Sequence, residues 1–382
     1  MPPEQIAAWV LEQSIKGAPW SREDVDTLMD DPALVRVLAE GLSDRFESAL
    51  VDRYVEIFSY VLSRKLPALP AAMLQERYAK ISQPREYGGN SETVREIFVL
   101  SRVTLGADVA ITSVMLDGLK RRFRQARIWL CGDRKCYQLF ESDNRIGYYP
   151  LFYERGGGLD RVLGERAFFK SGLVVDPDSR ISQLGLLPVC PDENYYFFES
   201  RRAGGDASTE TLTQLAQQWV RTTFGVDAKP YIAPKSTRWG SRYTAVSLGT
   251  GGNASKGLSA AFERLLLQKL AQSELPVVVD LGAGGEETER VQEAVRGLAN
   301  VNTHKGTFAE FAGIISQASR YFGYDSAGTH VAAASGVPLT VFFKGHVNGR
   351  MFERWKPTAA ASARTIRIDD PHPDPARVLA AL

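Results

Sequence analysis

The sequence predicts an α/β protein: two Rossmann-like series of strands and helices, preceded by an α-helical N-terminal region. Three observations carry this. From about residue 96 onward, short apolar runs rich in β-formers alternate with helix-period segments, and they do so in two series. The first ninety or so residues instead place apolar residues at three- and four-residue spacing. The run from Tyr321 to Phe343, Y-F-G-Y-D-S-A-G-T-H-V-A-A-A-S-G-V-P-L-T-V-F-F, compresses a strand, a polar turn, a small-residue helix, a Gly-Val-Pro stop and a second strand. A chain of 382 residues is too long for one typical core. The expected division is a helical region over 1–92, a first Rossmann-like domain over 93–235 and a second over 236–382.

Each element follows from its own residues. Residues 33–38 and 51–62 carry the helical spacing, Pro67, Pro70 and Pro84 punctuate it, and Gly88-Gly89-Asn90 suits a linker. Residues 97–100 read as a buried strand, 109–123 as a helix and 127–131 as the next strand, which makes a βαβ unit and hence a parallel sheet. Residues 172–176 and 195–198 are further strands. The stretch 229–242, with Pro230, Pro234 and Gly240, looks like a crossover between domains. The second series has strands over 245–248 and 276–281, helices over 258–271, 286–298 and 308–318, the motif at 321–343, a strand over 365–368 and a last helix over 374–382. Two such sheets suggest a cleft with ligands at the carboxyl ends of the strands.

Composition excludes several classes. A net charge of +1 gives no reason to expect bulk binding to nucleic acid. Cys131, Cys136 and Cys190 are too few and wrongly spaced for a zinc site or a disulfide framework, so buried thiols in a reducing compartment are expected. The N-terminal M-P-P-E-Q-I-A-A-W-V-L-E lacks a basic flank followed by a long apolar run, and no apolar run is long enough to span a bilayer. The expectation is a cytoplasmic protein without a transmembrane segment, with peripheral membrane contact left open.

Two segments have the chemistry of an anion site. In the first, Asp325 ends a strand and Ser326 is placed to cap the next helix through its hydroxyl. Ala327 and Gly328 leave room near the backbone, and the free N–H groups and helix dipole favour a phosphate. An ordinary strand–helix–strand unit would read the same way. The second segment, G-T-G-G-N-A-S-K-G over 249–257, places Thr250, Gly251 and Lys256 after a strand. It is not a P-loop, because no Gly precedes the lysine and no Ser or Thr follows it, so ATP hydrolysis is disfavoured.

Three segments in order resemble the family 9 glycosyltransferases, a heptosyltransferase-like group with the GT-B fold. They are L-S-R-V-T-L-G-A-D-V-A-I-T-S-V-M-L-D-G-L-K-R-R-F-R-Q-A-R-I, then Ser247-Leu248-Gly249-Thr250 through Lys256, then D-S-A-G-T-H-V-A-A-A-S-G-V-P. This chain departs from the family pattern by an extra Ala107 between Gly106 and Asp108, and by Ala327 where the family usually has glycine. The resemblance spans roughly 95–360 and leaves the N-terminal helices aside.

The resemblance implies metal-independent transfer of a sugar, with inversion, from a nucleotide-diphosphate donor to a hydroxyl acceptor. ADP-heptose is the family's typical donor and lipopolysaccharide core its typical acceptor; a glycan, glycolipid or protein acceptor fits this chain, and no cofactor or metal is expected. Asp108 then becomes the base, although an aspartate in a helix's first turn is favourable through the dipole alone. Ser326, Gly328, Thr329 and Lys256 would hold the diphosphate, with Ala327 beside them. His330 would either touch phosphate or brace the turn, Asp325 would hold the turn in shape, and Glu286 or Glu287 would accept from ribose hydroxyls or simply start a helix.

Two rival readings stand beside this one. Asp176-Pro177-Asp178 after an apolar strand suits a metal-dependent sugar transferase. The departures at Ala107 and Ala327 suit a non-catalytic sugar-nucleotide-binding or scaffolding protein. Ser179 and Arg180 could reach an acceptor, and Lys344-Gly345-His346 with Arg350 could border a donor pocket.

Overall fold

A computed structural model describes residues 1–151, 153, 168–235, 239–240, 242–282, 284–358 and 362–382. Part of the crossover expected over 229–242 lies outside the described residues. The chain divides into two compact units, one of Met1–Thr104, Val114–Cys136 and Arg145–Ala228, the other of Leu105–Ser113, Tyr137–Asn144 and Lys229–Leu382.

The first unit is built on five parallel strands, β1 (Glu96–Leu100), β2 (Arg127–Gly132), β3 (Ile146–Pro150), β4 (Leu173–Asp176) and β5 (Tyr195–Phe197), in the order β3-β2-β1-β4-β5. Ile97 in β1 stands opposite Ile128 on one side and Leu173 on the other. Such central strands are covered on both faces, which is why they read as unbroken apolar runs. The helices of residues 1–92 share one hydrophobic core with this sheet. Tyr54, Phe58, Leu74 and Tyr78 belong to the same buried cluster as Leu100, Val174, Tyr195 and Phe197. Arg77 fastens the helix Ala71–Ile81 there, pairing with Asp192 at 2.7 Å and lying over the Tyr195 ring.

The second unit has six parallel strands, β6 (Thr244–Ser247), β7 (Val277–Asp280), β8 (Val301–His304), β9 (Arg320–Tyr324), β10 (Leu339–Phe343) and β11 (Ala363–Arg367), in the order β11-β10-β9-β6-β7-β8. Its core joins Val246, Leu248, Val277 and Val279 to Phe262, Leu266, Tyr324 and Phe342. Caps set the helix starts. The Ser259 hydroxyl accepts from Phe262 N–H, and Thr307 and Glu310 form a reciprocal capping box. From β6 the chain winds one way through β7 and β8, then the other way through β9, β10 and β11. The β6/β9 boundary is therefore a topological switch point, and the crevice beyond the carboxyl ends of those strands is the natural ligand position.

Cys131, Cys136 and Cys190 are buried free thiols, as expected. Among the described residues, no helix is long and apolar enough to cross a membrane.

Candidate functional site

The loops after β6 and β9 meet at the switch point. After β6 the chain turns through Gly251 and Gly252, whose φ values of 62° and 84° lie in the left-handed region that glycine adopts without a Cβ penalty. A 3₁₀ turn, Ala254–Lys256, follows, and Asn253 Oδ1 accepts from the Ser255 N–H at 3.1 Å. This turn delivers Lys256 to the end of β9. Its Nζ donates to Asp325 Oδ2 at 2.6 Å and to the Asp325 carbonyl at 3.1 Å. The Lys256 side chain is 21% exposed and that of Asp325 only 4%. Two of the three ammonium donors are thus committed, and the charge is held in place beside the helix Ala327–Ala334.

That helix starts differently from the sequence expectation. Ser326 is the N-cap in extended conformation, but its side chain makes no capping bond; its hydroxyl lies buried beside Tyr321. The Thr329 hydroxyl, expected to face a phosphate, donates back to the Tyr324 carbonyl at 2.7 Å. Gly328 is required by packing, because a Cβ there would collide with the Tyr321 hydroxyl. What remains for an anion is backbone, since the first N–H groups of any helix lack an intrahelical acceptor. His330 is buried, with Nε2 3.9 Å from Asp325 Oδ1 and its ring against Trp355. Burial pushes the imidazole below its ordinary pKa; Asp325 opposes that shift and Lys256 adds to it, so His330 is neutral at pH 7.

The segment Leu105–Ser113 belongs to this same unit. A Cβ on Gly106 would come within 3.2 Å of His330 Cδ2 and 3.3 Å of the Ala327 Cα, so the two backbones approach as closely as glycine permits. Beyond it, Asp108–Thr112 forms a π-helical turn packed on the helix Ala327–Ala334, before the helix continues as Ser113–Arg122. The helix expected over 109–123 thus has a wider first turn. A π turn carries about one residue more than an α turn, which matches the extra Ala107. The Asp108 carboxylate is fully buried and accepts from the Thr112 hydroxyl at 2.7 Å. Upstream, Val103 has a φ of 61°, an uncommon conformation for a β-branched residue.

On the far side of the glycine turn, Glu287 is tucked so closely under Gly249 and Gly282 that a Cβ on Gly282 would collide with its carboxylate. Burial pushes its pKa up, Arg290 pulls it down and Asp280 raises it further. Glu286 is exposed. In the turn itself Thr250 is half-buried and Gly251 exposed. A buried group missed by sequence reasoning braces both loops. Arg290 binds Glu263 and, at 3.0 Å, the Leu248 carbonyl, while the Tyr324 hydroxyl donates to Glu263 at 2.8 Å.

Three of the four carboxylate oxygens of Asp176 and Asp178 are committed to protein donors, and Asp178 Oδ1 is buried without a hydrogen-bond partner among the described residues. Both are buried in the first unit. Asp176 accepts from Ser179 N–H at 2.7 Å and from the Tyr195 hydroxyl at 2.5 Å. Asp178 Oδ2 accepts from the Ser200 hydroxyl at 2.7 Å and Arg201 Nε at 3.1 Å. These carboxylates hold the loop after β4 to the end of β5. Among the described residues, no group of three or more His, Cys, Asp or Glu is placed to bind a metal ion.

No protein-family model matches the chain, and no curated protein matches it by sequence. Solved structures do. A family 9 glycosyltransferase from Veillonella parvula DSM 2008 aligns with a TM-score of 0.51 at 16% identity, covering 75% of this chain and 88% of that one. The E. coli heptosyltransferase WaaC, solved with ADP, aligns with a TM-score of 0.57 at 12% identity, covering 75% of this chain and 97% of that one. E. coli ADP-heptose lps heptosyltransferase II gives 0.52 at 15% identity, with 75% and 96% covered. At such identities the likeness speaks for architecture: the chain has the GT-B fold of these family 9 structures.

Proposed function

We propose that the chain is an inverting, metal-independent glycosyltransferase that moves a sugar from a nucleotide-diphosphate donor to a hydroxyl acceptor. One observation carries the reading: the Lys256–Asp325 pair, fixed beside the start of the helix Ala327–Ala334 at the β6/β9 switch point. The leaving diphosphate needs positive potential that does not have to reorganise. Here the Ala327 and Gly328 N–H groups and the Lys256 ammonium supply it, with Thr250 and Gly251 closing the turn. Glu287, with Glu286 as the exposed alternative, accepts from ribose hydroxyls. His330 stays neutral and braces Asp325. Asp108 takes the acceptor's proton as the hydroxyl oxygen bonds to the anomeric carbon, and the bond to the diphosphate oxygen breaks with its electron pair going to the leaving group.

WaaC has been solved with ADP and with ADP-2-deoxy-2-fluoro heptose, so ADP-sugars are the first donors to try. The acceptor would be a glycan, a glycolipid such as lipopolysaccharide core, or a protein, met in the cytoplasm. Asp108→Asn should keep donor binding and lose transfer by about 10²–10⁴-fold, the usual contribution of a positioned base. A variant that retains most of its activity removes Asp108 from the mechanism.

A non-catalytic sugar-nucleotide-binding protein is the second reading. It is favoured by the complete burial of the Asp108 carboxylate and its bond to Thr112. Donor binding without product across a panel of sugar donors and acceptors would select it.

A further inference from the structure

A cleft of about 440 Å³ opens at the carboxyl ends of β10 and β11, within the second unit. That is inside the range of small-ligand sites, about 300–1,000 Å³. Its polar lining is mixed: Lys344 and Arg367 bring donors, the Ser255 hydroxyl, which donates to Asn253 Oδ1, brings an acceptor, Asp369 and Asp370 bring carboxylates, and His346 brings a ring.

The state of His346 follows from its neighbours. His346 Nε2 and Arg367 Nε both lie 2.9 Å from Asp369 Oδ1. The bond from Arg367 holds the Asp369 carboxyl below its usual range, so at neutral pH it only accepts. Nε2 must therefore carry the hydrogen, and in the neutral ring Nδ1 keeps a lone pair. Among the described residues that Nδ1, buried on a side chain only 7% exposed, has no partner. A buried acceptor left unsatisfied is costly, and the cost disappears when a ligand donor fills it. Lys344 donates to the Gly257 carbonyl at 3.3 Å and makes no ion pair among the described residues.

These groups discriminate among ligands. An anion would face Asp369 and Asp370, a cation would face Lys344 and Arg367, and an apolar molecule would leave Nδ1 unsatisfied. A polyol fits all of them, because each hydroxyl both donates and accepts. Ser255, which lines the cleft, and Gly257, whose carbonyl accepts from Lys344, flank Lys256 in the chain. We propose that the cleft is a sugar subsite: one ring hydroxyl donates to His346 Nδ1, and its neighbours accept from Lys344 and Arg367. The assignment rests on the transferase reading for placing a glycosyl group next to the nucleotide.

The test uses the full chain labelled with ¹⁵N-histidine at pH 8. The protein has four histidines, His304, His330, His346 and His372, each a separate reporter. The probes are ADP, ADP-glucose, ADP-mannose, free glucose and mannose, and a short oligosaccharide. The expected result is a saturable shift of the His346 Nδ1 resonance by a sugar. Lys344→Met should weaken that response roughly tenfold or more, the worth of one hydrogen bond to a charged group. A shift by ADP-sugars alone places the donor's sugar in the cleft; a shift by free saccharide with ADP-glucose already saturating places the acceptor's there. If no sugar moves His346, or Lys344→Met titrates like the parent, the subsite is refuted. ADP moving His330 while no sugar moves His346 overturns the subsite and leaves the transferase reading intact. The opposite pattern keeps the subsite and overturns the diphosphate assignment.

Discussion

Replacing Lys256 by methionine keeps the length of the side chain and removes its charge. In the parent, Lys256 satisfies a carboxylate whose side chain is only 4% exposed. Removing one partner of a buried ion pair typically costs about 3–5 kcal/mol, because the other charge is left behind in a poor solvent. Lys256 itself is one-fifth exposed, so water can reach the vacated position, and the low end, about 3 kcal/mol, is expected. For a unit of this size that is about 6–12 °C in Tm. Asp325→Asn in the same background removes the stranded charge, so the double variant should recover roughly 2 kcal/mol of coupling. The same lysine is assigned to the diphosphate, so ADP affinity should fall at least tenfold, about 1.4 kcal/mol, in both the single and the double variant. Chemical denaturation and calorimetric titration measure the two effects separately. A Lys256→Met protein within about 0.5 kcal/mol of the parent would contradict the buried pair, and unchanged ADP binding would remove Lys256 from the site.

Other consequences are independent of this pair. Gly106→Ala should cost about 1 kcal/mol and Gly106→Val about 1–3 kcal/mol more, because the added atoms press on the Ala327 backbone, which yields less readily than a side chain; equal stabilities for all three proteins would mean the two backbones are not in contact. Asp176 titrates in the folded state at about 6, raised by burial, while Ser182, Tyr195 and Ser179 pull it back and Asp178 adds to it. Its folded pKa lies above the unfolded value, so the native state holds the extra proton between about pH 4 and 6, and stability falls as pH rises through that window. Against Asp176→Asn, the parent should lose on the order of 2–3 kcal/mol from pH 4 to pH 7, and a pH-independent difference would rule out a protonated Asp176.

The parts of this molecule that were legible in the sequence are those where local chemistry and burial agree. β1, β7 and β10 are internal strands covered on both faces, so their residues form apolar runs that need no tertiary knowledge. β3 and β8 are edge strands, and I-G-Y-Y-P and V-N-T-H carry little apolar signal; neither was expected. The loops after β6 and β9 were legible because glycine turns, a lysine and a strand–helix junction are short-range features. Their wiring was not, since Lys256 and Asp325 are 69 residues apart and His346 and Asp369 are 23 apart. The Ser326 hydroxyl defied its cap preference because it turns into the interior beside Tyr321. The join between the N-terminal helices and the first sheet also escaped notice, because an apolar helix face does not name its partner.

The claim at the centre of this account is that a lysine and a helix start grip a diphosphate without a metal ion. Calorimetric titration of the full chain with ADP in the presence of EDTA addresses it directly. The account predicts saturable binding that added Mg²⁺ changes little; no binding at all, or binding that appears only when a divalent cation is supplied, would contradict it.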